Sequence, residues 1–327
     1  MKSKRIIHIF FLLIVQISSL KGDEPSDILD QCSATLNISL ESCSIERFNG
    51  GVSNRVYLIS TKSGEKLAAK VFTRYSLGDV YKIEHTLSAL RDMGFQIPET
   101  VAITLFQDKF PLHISRFQEG AHLIDQDLFL VARLMAELHI KGSSINPSPI
   151  KKYRGEEHYR NLFKKCENWA YTGELKKIYE ELDLSYLSEI PTGTIHGDFS
   201  YTNLIHTENG KLTLLDFDNV CTSYLLTDLV RCHMFYGFDK EGELQEEKVN
   251  NFVSNYNAIR PLTLAERQNF YSHMKLMMID TALGIWYNIH IARDLPIDVV
   301  NCLENKTLVP ELLFKKIKSL QGKKDIN

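Results

Sequence analysis

The sequence is short of the features that mark several common protein classes. Its 38 Lys and Arg residues are outnumbered by 41 Asp and Glu, a net charge of −3. Without a basic surplus there is no electrostatic footprint for nucleic acid. The six cysteines, Cys32, Cys43, Cys166, Cys221, Cys232 and Cys302, contain no C-x-x-C pair. The closely spaced ligands of a zinc site are therefore missing, and free thiols are the expected state. No apolar run approaches the roughly 20 residues of a membrane-spanning helix. There is no internal repeat, no low-complexity tract, no Walker A loop and no G-x-G-x-x-G loop. What remains is an ordinary globular composition, 44% hydrophobic over 327 residues. Such a chain can bury a large core without metal or disulfide support.

Residues 1–22 stand apart. Lys2, Lys4 and Arg5 precede an apolar stretch over residues 6–15, and a polar segment begins at Lys21. That is the form of a secretory signal, and the N-x-S/T tripeptides at Asn37 and Asn305 suit export. An extension from a misplaced start and a membrane anchor are the alternatives, so the segment is set aside from the fold.

From Cys43 to Ser115 the pattern is strand-rich. Residues 55–59 and 66–72 flank a turn at Lys62–Glu65 and read as a hairpin, and residues 100–105 and 111–115 are two further strands. Between them, Ile83, Leu87 and Leu90 form one apolar stripe on a helix over Val80–Met93. Beyond Glu119 and Gly120 helices take over. Leu128, Val131, Met135 and Leu138 line one face behind an N-cap at Asp125, Tyr159–Leu182 is a second helical stretch, and Thr263 with Glu266 forms a capping box opening a long helix toward Ile291. The expected architecture is α+β and two-lobed: a small antiparallel-sheet N-lobe over residues 30–118, a hinge near 115–120, and a larger, mostly helical C-lobe over 119–327.

The chemistry concentrates in residues 194–218. Asn209-Gly210 between alternating apolar runs predicts a hairpin with a two-residue turn. That register sets Asn203 directly opposite Asp216, with Cβ atoms about 5 Å apart. A carboxylate and an amide oxygen side by side are hard ligands suited to Mg²⁺ on nucleotide phosphates. Asp198, five residues before Asn203, reaches the same spot and can take the proton of a substrate hydroxyl during phosphoryl transfer.

His196-Gly-Asp-Phe-Ser-Tyr-Thr-Asn203, followed by Leu215-Asp-Phe-Asp218, resembles the catalytic and metal loops of the aminoglycoside phosphotransferase/choline kinase superfamily, small-molecule kinases with a protein-kinase-like fold. The resemblance spans roughly residues 30–320. It implies ATP and Mg²⁺ as cofactors, Asp198 as the catalytic base, and Asn203 and Asp216 as metal ligands. The segment Asn49–Tyr57 resembles the nucleotide loop, giving Gly50, Gly51, Ser53 and Asn54 as nucleotide-binding residues; its two glycines would let backbone N–H groups approach phosphate. Lys70 resembles the phosphate-contacting lysine, with Glu84 as its ion-pair partner. Residues 114–120 resemble the adenine-binding hinge. His196, Asp228 and the helix through His139 are read as structural, and Asp218 as either a second metal ligand or a loop-orienting residue.

The resemblance implies phosphoryl transfer to a hydroxyl of a small molecule. The charge balance gives no nucleic-acid partner, and any membrane contact would run through residues 1–22 only. Within the superfamily, residues 215–229 and 256–263, followed by a helix bearing Trp286, resemble choline-kinase-like homoserine kinases; Gly197 departs from their frequent His-Ala-Asp. Homoserine is thus the leading acceptor, and its carboxylate would need a cation, for which Arg231 is one candidate and a structural partner of Asp228 is the other reading of that residue. Choline, ethanolamine or thiamine kinase, aminoglycoside phosphotransferase, Ser/Thr protein kinase and non-catalytic pseudokinase are the alternatives. Residues 121–327 are only four more acidic than basic, mild for attracting a polycation. No Ala-Pro-Glu segment follows Asp216, which weighs against a protein kinase. Nothing specifies an oligomer. Because ATP and Mg²⁺ are cytosolic, a cytoplasmic catalytic domain is favoured, with export or anchoring through residues 1–22 left open.

Overall fold

A computed structural model describes residues 25–39, 43–47, 54–123, 127–145, 147, 153–200, 203–207, 210–292, 309–323 and 325–326. The signal-like segment, Gly50, Gly51, Ser53, the N-cap expected at Asp125, Cys302 and Asn305 lie outside these residues.

The small lobe is a five-stranded antiparallel sheet of β1 (Cys43–Arg47), β2 (Arg55–Thr61), β3 (Lys66–Val71), β4 (Thr100–Phe106) and β5 (Phe110–Arg116), in the order β1-β2-β3-β5-β4. Period-two alternation divides its faces. Tyr57, Ile59, Leu67, Ala69, Val71, Leu112 and Ile114 are buried together on one face. An N-terminal helix, α1 (Pro25–Leu36), covers that face with Ile28 and Cys32, both fully buried. The lobe therefore begins before the expected boundary at residue 30. On β3 the alternate positions, Ala68 and Lys70, turn the other way.

Between the hairpins runs α2 (Leu77–Asp92), opened by a capping box in which Ser76 and Asp79 satisfy each other's backbone N–H groups. Its stripe, Val80, Ile83, Leu87 and Leu90, joins the main core shared with the large lobe. The hinge passes through the two-residue strand β6 (Ala121–His122), and Gly120 packs so tightly that a Cβ there would lie 2.3 Å from the His206 carbonyl oxygen.

The large lobe contains α3 (Leu128–Lys141), α4 (Glu156–Lys165), α5 (Thr172–Glu180), α6 (Leu226–Tyr236), α7 (Glu246–Asn257), α8 (Leu264–Tyr287) and α9 (Pro310–Ser319). The expected face of α3 is buried: Leu128, Val131, Met135 and Leu138. The stretch read as one helix over Tyr159–Leu182 is two. Thr172 Oγ1 donates to the Cys166 carbonyl at 2.6 Å, turning the chain so that buried Trp169 stacks on Trp286 at 5.9 Å. The capping box at Thr263 and Glu266 forms as the pattern predicts. The described cysteines, Cys32, Cys43, Cys166, Cys221 and Cys232, are all free. Among the described residues no helix is long and apolar enough to cross a membrane.

Two short ladders carry the site. Strands β7 (Thr192–Ile195) and β10 (Cys221–Tyr224) pair antiparallel, and β8 (Leu204–His206) pairs with β9 (Leu212–Leu214) and β6. The β8/β9 register differs from the expected one by a residue: Leu204 faces Leu214, so Asn203 lies against Leu215 rather than Asp216, and Leu215 N–H donates to the Asn203 carbonyl at 2.8 Å. Thr207 and Lys211 close the loop at 3.0 Å, with Gly210 at φ +75°, so three residues separate them instead of two.

Candidate active site

The β7/β10 ladder brings His196, which follows β7, beside Asp228, which opens α6. Asp228 is fully buried, and its two oxygens accept the His196 and Gly197 backbone N–H groups, each at 2.8 Å. His139 Nε2 approaches the same carboxylate at 3.3 Å while its Nδ1 meets Tyr256 O–H at 2.6 Å. Burial pushes the Asp228 pKa up, but these donors outweigh it and hold the carboxyl below its ordinary value. His139 is driven the other way by burial and stays neutral. The loop bearing Asp198 is thus hung from a buried anion by two charge-assisted hydrogen bonds.

His196 plays the structural part read from the sequence. Its Nε2 donates to the Leu215 carbonyl at 2.9 Å, and its Nδ1 accepts the Asp198 N–H at 3.2 Å, tying the loop bearing Asp198 to the segment before Asp216. Gly197 sits at φ +78°, and a Cβ there would come 2.5 Å from the Asn219 carbonyl oxygen. Only glycine fits that turn without strain.

The loop presents Asp198 with about a third of its side chain exposed. Asn203 Nδ2 donates to the Asp198 carbonyl at 2.9 Å and lies 3.3 Å from its Oδ2. With the amide nitrogen occupied there, Oδ1 is the Asn203 atom available to a cation. Asp216 occupies the left-handed region at φ +59°, ψ +64°, a conformation that Asp tolerates better than most residues. The short turn Phe217–Asn219 follows, with buried Phe217 packed on His196 at 4.6 Å.

Lys70 reaches across from β3 to Asp216 Oδ1 at 2.8 Å and Asp218 Oδ1 at 2.5 Å. Burial acts to lower the Lys70 pKa, but Asp218 and Asp216 together hold it above that of an ordinary lysine. Burial, with the neighbouring Asp216, pushes Asp218 up to about 6 against the pull of Lys70. Burial also opposes the charge on Asp216, yet Lys70 keeps its pKa below the usual carboxylate value. Tyr75 O–H donates to the Asp218 carbonyl at 2.8 Å.

Lys70, Asp198, Asn203 and Asp216 are therefore brought close to one another, as the sequence predicts, although by a different hairpin register. Three of the expected placements differ. The Lys70–Glu84 pair does not form: Glu84 pairs with Arg91, accepts the Thr100 hydroxyl at 2.5 Å, and lies 3.8 Å from His113. Two carboxylates, of Asp216 and Asp218, attract Lys70 more strongly than one glutamate already held by two donors. Asn54 directs its amide at Asp218, Nδ2 to Oδ2 at 2.5 Å, while its Oδ1 accepts the Thr73 N–H at 3.3 Å. It bridges the start of β2 to the turn bearing Asp218. Arg231 lies beside Asp198, at 3.7 Å, rather than pairing with Asp228. Asp218, left open between two roles by the sequence, is the hub joining Lys70, Asn54 and Tyr75; no local pattern announces the last contact.

Among the described residues there is no cluster of three or more His, Cys, Asp or Glu side chains able to hold a metal alone. Two carboxylates and one amide oxygen suit Mg²⁺, which takes one or two protein carboxylates and completes its shell with phosphates and water.

A family model described as the phosphotransferase enzyme family matches residues 44–262. A homoserine kinase of Rhodospirillum rubrum is 25% identical over 231 residues, covering 66% of this chain and 71% of that protein. Two solved structures share the fold. An amicoumacin kinase bound to AMP-PNP and Ca²⁺ superposes with a TM-score of 0.60 at 16% identity, covering 87% of this chain and 93% of that one. A microcompartment-associated aminopropanol kinase gives 0.59 at 16% identity, covering 88% and 98%.

Proposed function

The chain belongs to the phosphotransferase enzyme family, and on that premise we propose that it moves the γ-phosphoryl group of Mg·ATP to the hydroxyl of a small amino-bearing acceptor, with homoserine first among the candidates. It is a small-molecule phosphotransferase that uses ATP. The observation that carries the mechanistic reading is the meeting of Lys70 with Asp216 and Asp218, next to the loop bearing Asp198.

In the proposed reaction, Asp198 accepts a hydrogen bond from the acceptor hydroxyl and orients its oxygen toward the γ-phosphorus. The new O–P bond forms as the bond from phosphorus to the β,γ-bridging oxygen breaks; its electron pair leaves with ADP, and the hydroxyl proton passes to a carboxylate oxygen of Asp198. Asp216, Asp218 and the amide oxygen of Asn203 are the donors that would hold Mg²⁺, whose charge offsets that of the phosphates. Lys70, kept protonated by its two aspartates, supplies the second positive charge. Asp228, buried beneath, fixes the backbone from which Asp198 projects.

The choice of an amino-bearing acceptor is supported by the homoserine kinase relatives and by the aminopropanol kinase among the structural neighbours. A coupled ADP-release screen against hydroxy amino acids, amino alcohols, choline, thiamine, sugars and aminoglycosides tests it. Homoserine should release ADP in a Mg²⁺-dependent manner. Asp198→Asn should abolish turnover while ATP still binds, and Asp216→Ala should weaken Mg·ATP binding itself. Release by choline or thiamine but not homoserine overturns the acceptor; no release with any compound overturns the kinase reading.

A further inference from the structure

Arg231 stands on α6, three residues beyond Asp228, with its Nε 3.7 Å from Asp198 Oδ1. That separation is an ion pair but too long for a hydrogen bond. The Nε is sealed from solvent and has no hydrogen-bond partner among the described residues. The rest of the side chain is not sealed: 38% of it is exposed, beside an Asp198 that is 34% exposed. The exposed end of the guanidinium, beside the base, is therefore a site for one acceptor. The nearest carboxylate does not fill it, since Asp198 stays beyond hydrogen-bonding range and is needed for the hydroxyl.

We propose that Arg231 is the specificity-determining residue for the acceptor, binding a carboxylate carried by the same molecule whose hydroxyl is held by Asp198. The inference rests on the kinase reading above and deepens it from an amino-bearing hydroxyl compound to a short hydroxy amino acid. The geometry limits the size of that molecule. With the terminal guanidinium nitrogens about 2.3 Å beyond Nε, a hydroxyl about 2.7 Å from Asp198 and a carboxylate oxygen about 2.8 Å from the guanidinium are separated by no more than roughly 12 Å. A four-carbon hydroxy amino acid falls within that span. The guanidinium fork also suits a planar carboxylate better than a point charge would. An amino alcohol of the same length lacks the carboxylate and forgoes the charge-assisted bonds to the guanidinium, so discrimination comes from contacts that only the right acceptor makes.

Homoserine and its decarboxylated counterpart, 3-aminopropan-1-ol, form a matched pair for the test. Steady-state ADP release is measured for both with wild type, Arg231→Gln and Arg231→Lys, each checked for folding by thermal melting. Wild type should favour homoserine in kcat/KM. In Arg231→Gln that preference should fall roughly 10- to 100-fold, through a raised KM for homoserine, with Arg231→Lys intermediate. A loss of kcat shared equally by both acceptors, with the preference intact, makes Arg231 a positioning residue for Asp198 and overturns the proposal. So does a wild type that prefers the aminopropanol, an outcome that leaves the kinase reading standing. Absence of ADP release with every acceptor in the wider screen overturns both.

Discussion

Substituting Asp228 by Asn tests whether the catalytic loop is held from beneath. The change is nearly isosteric and removes only the charge and one acceptor. In the native protein the carboxylate accepts two backbone N–H groups at 2.8 Å and faces His139 Nε2 at 3.3 Å, all out of contact with water. An amide oxygen can serve one of the backbone donors; the amide NH₂ must then oppose another. One charge-assisted hydrogen bond is lost and one buried N–H is orphaned, together costing about 3–5 kcal/mol. For a chain of this size that lowers Tm by roughly 4–7 °C. The activity should fall further than stability requires at 25 °C, because His196 and Gly197 carry Asp198. A shift of about 1 Å in a reacting group can cost on the order of 100-fold. Thermal melting and steady-state ADP release on the same preparation give both quantities. A Tm within about 2 °C of wild type with kcat within about threefold would refute the role given to Asp228.

Three further outcomes are expected. Gly197→Ala forces a Cβ to 2.5 Å from the Asn219 carbonyl oxygen at φ +78°, so urea unfolding should show a loss on the order of 2 kcal/mol or more, and an unchanged midpoint would contradict the turn geometry. Lys70→Met leaves Asp216 and Asp218 facing each other without a cation and should raise KM for ATP at least about tenfold; an unaltered KM removes Lys70 from phosphate binding. Burial pushes His233 down to about 4 and His273 down to about 3, so the unfolded chain binds more protons than the folded one below the ordinary histidine pKa of about 6.5. Stability should therefore fall as pH drops from about 6.5 toward 4, by up to roughly 3 kcal/mol for His233 alone, and a flat urea midpoint across that window would refute the buried neutral state.

The sequence is most legible where structure is local. The hairpin around Lys62–Glu65, the stripe on α2 and the box at Thr263 and Glu266 each depend on residues within a few positions of one another, and each forms. The spacing of Asp198, Asn203 and Asp216 points to their grouping, yet the expected register differs from the observed one by a residue. Asn-Gly signals a turn but does not fix its length, and a three-residue loop shifts every facing pair. Partners drawn from distant segments were not legible. Glu84 is claimed by Arg91, Thr100 and His113, and Asn54 by Asp218, 164 residues away. Trp169 breaks the helical stretch 159–182 because its stacking partner, Trp286, belongs to α8. Helix α1 escaped because its buried side chains, Ile28 and Cys32, make too short a stripe to separate from the segment before it.

That helix has a practical consequence for handling the protein. It covers the face of the sheet opposite Lys70, where Tyr57, Ile59, Leu67, Ala69, Val71, Leu112 and Ile114 form a continuous apolar surface. A truncation starting at β1, or a proteolytic nick that releases Pro25–Leu36, would uncover this surface without touching one residue of the cleft. The damage would register as aggregation of the small lobe rather than as altered catalysis in the fraction still soluble. Yield and specific activity are thereby governed by opposite sides of one sheet, and a shortened chain that precipitates says nothing about the chemistry it would have performed.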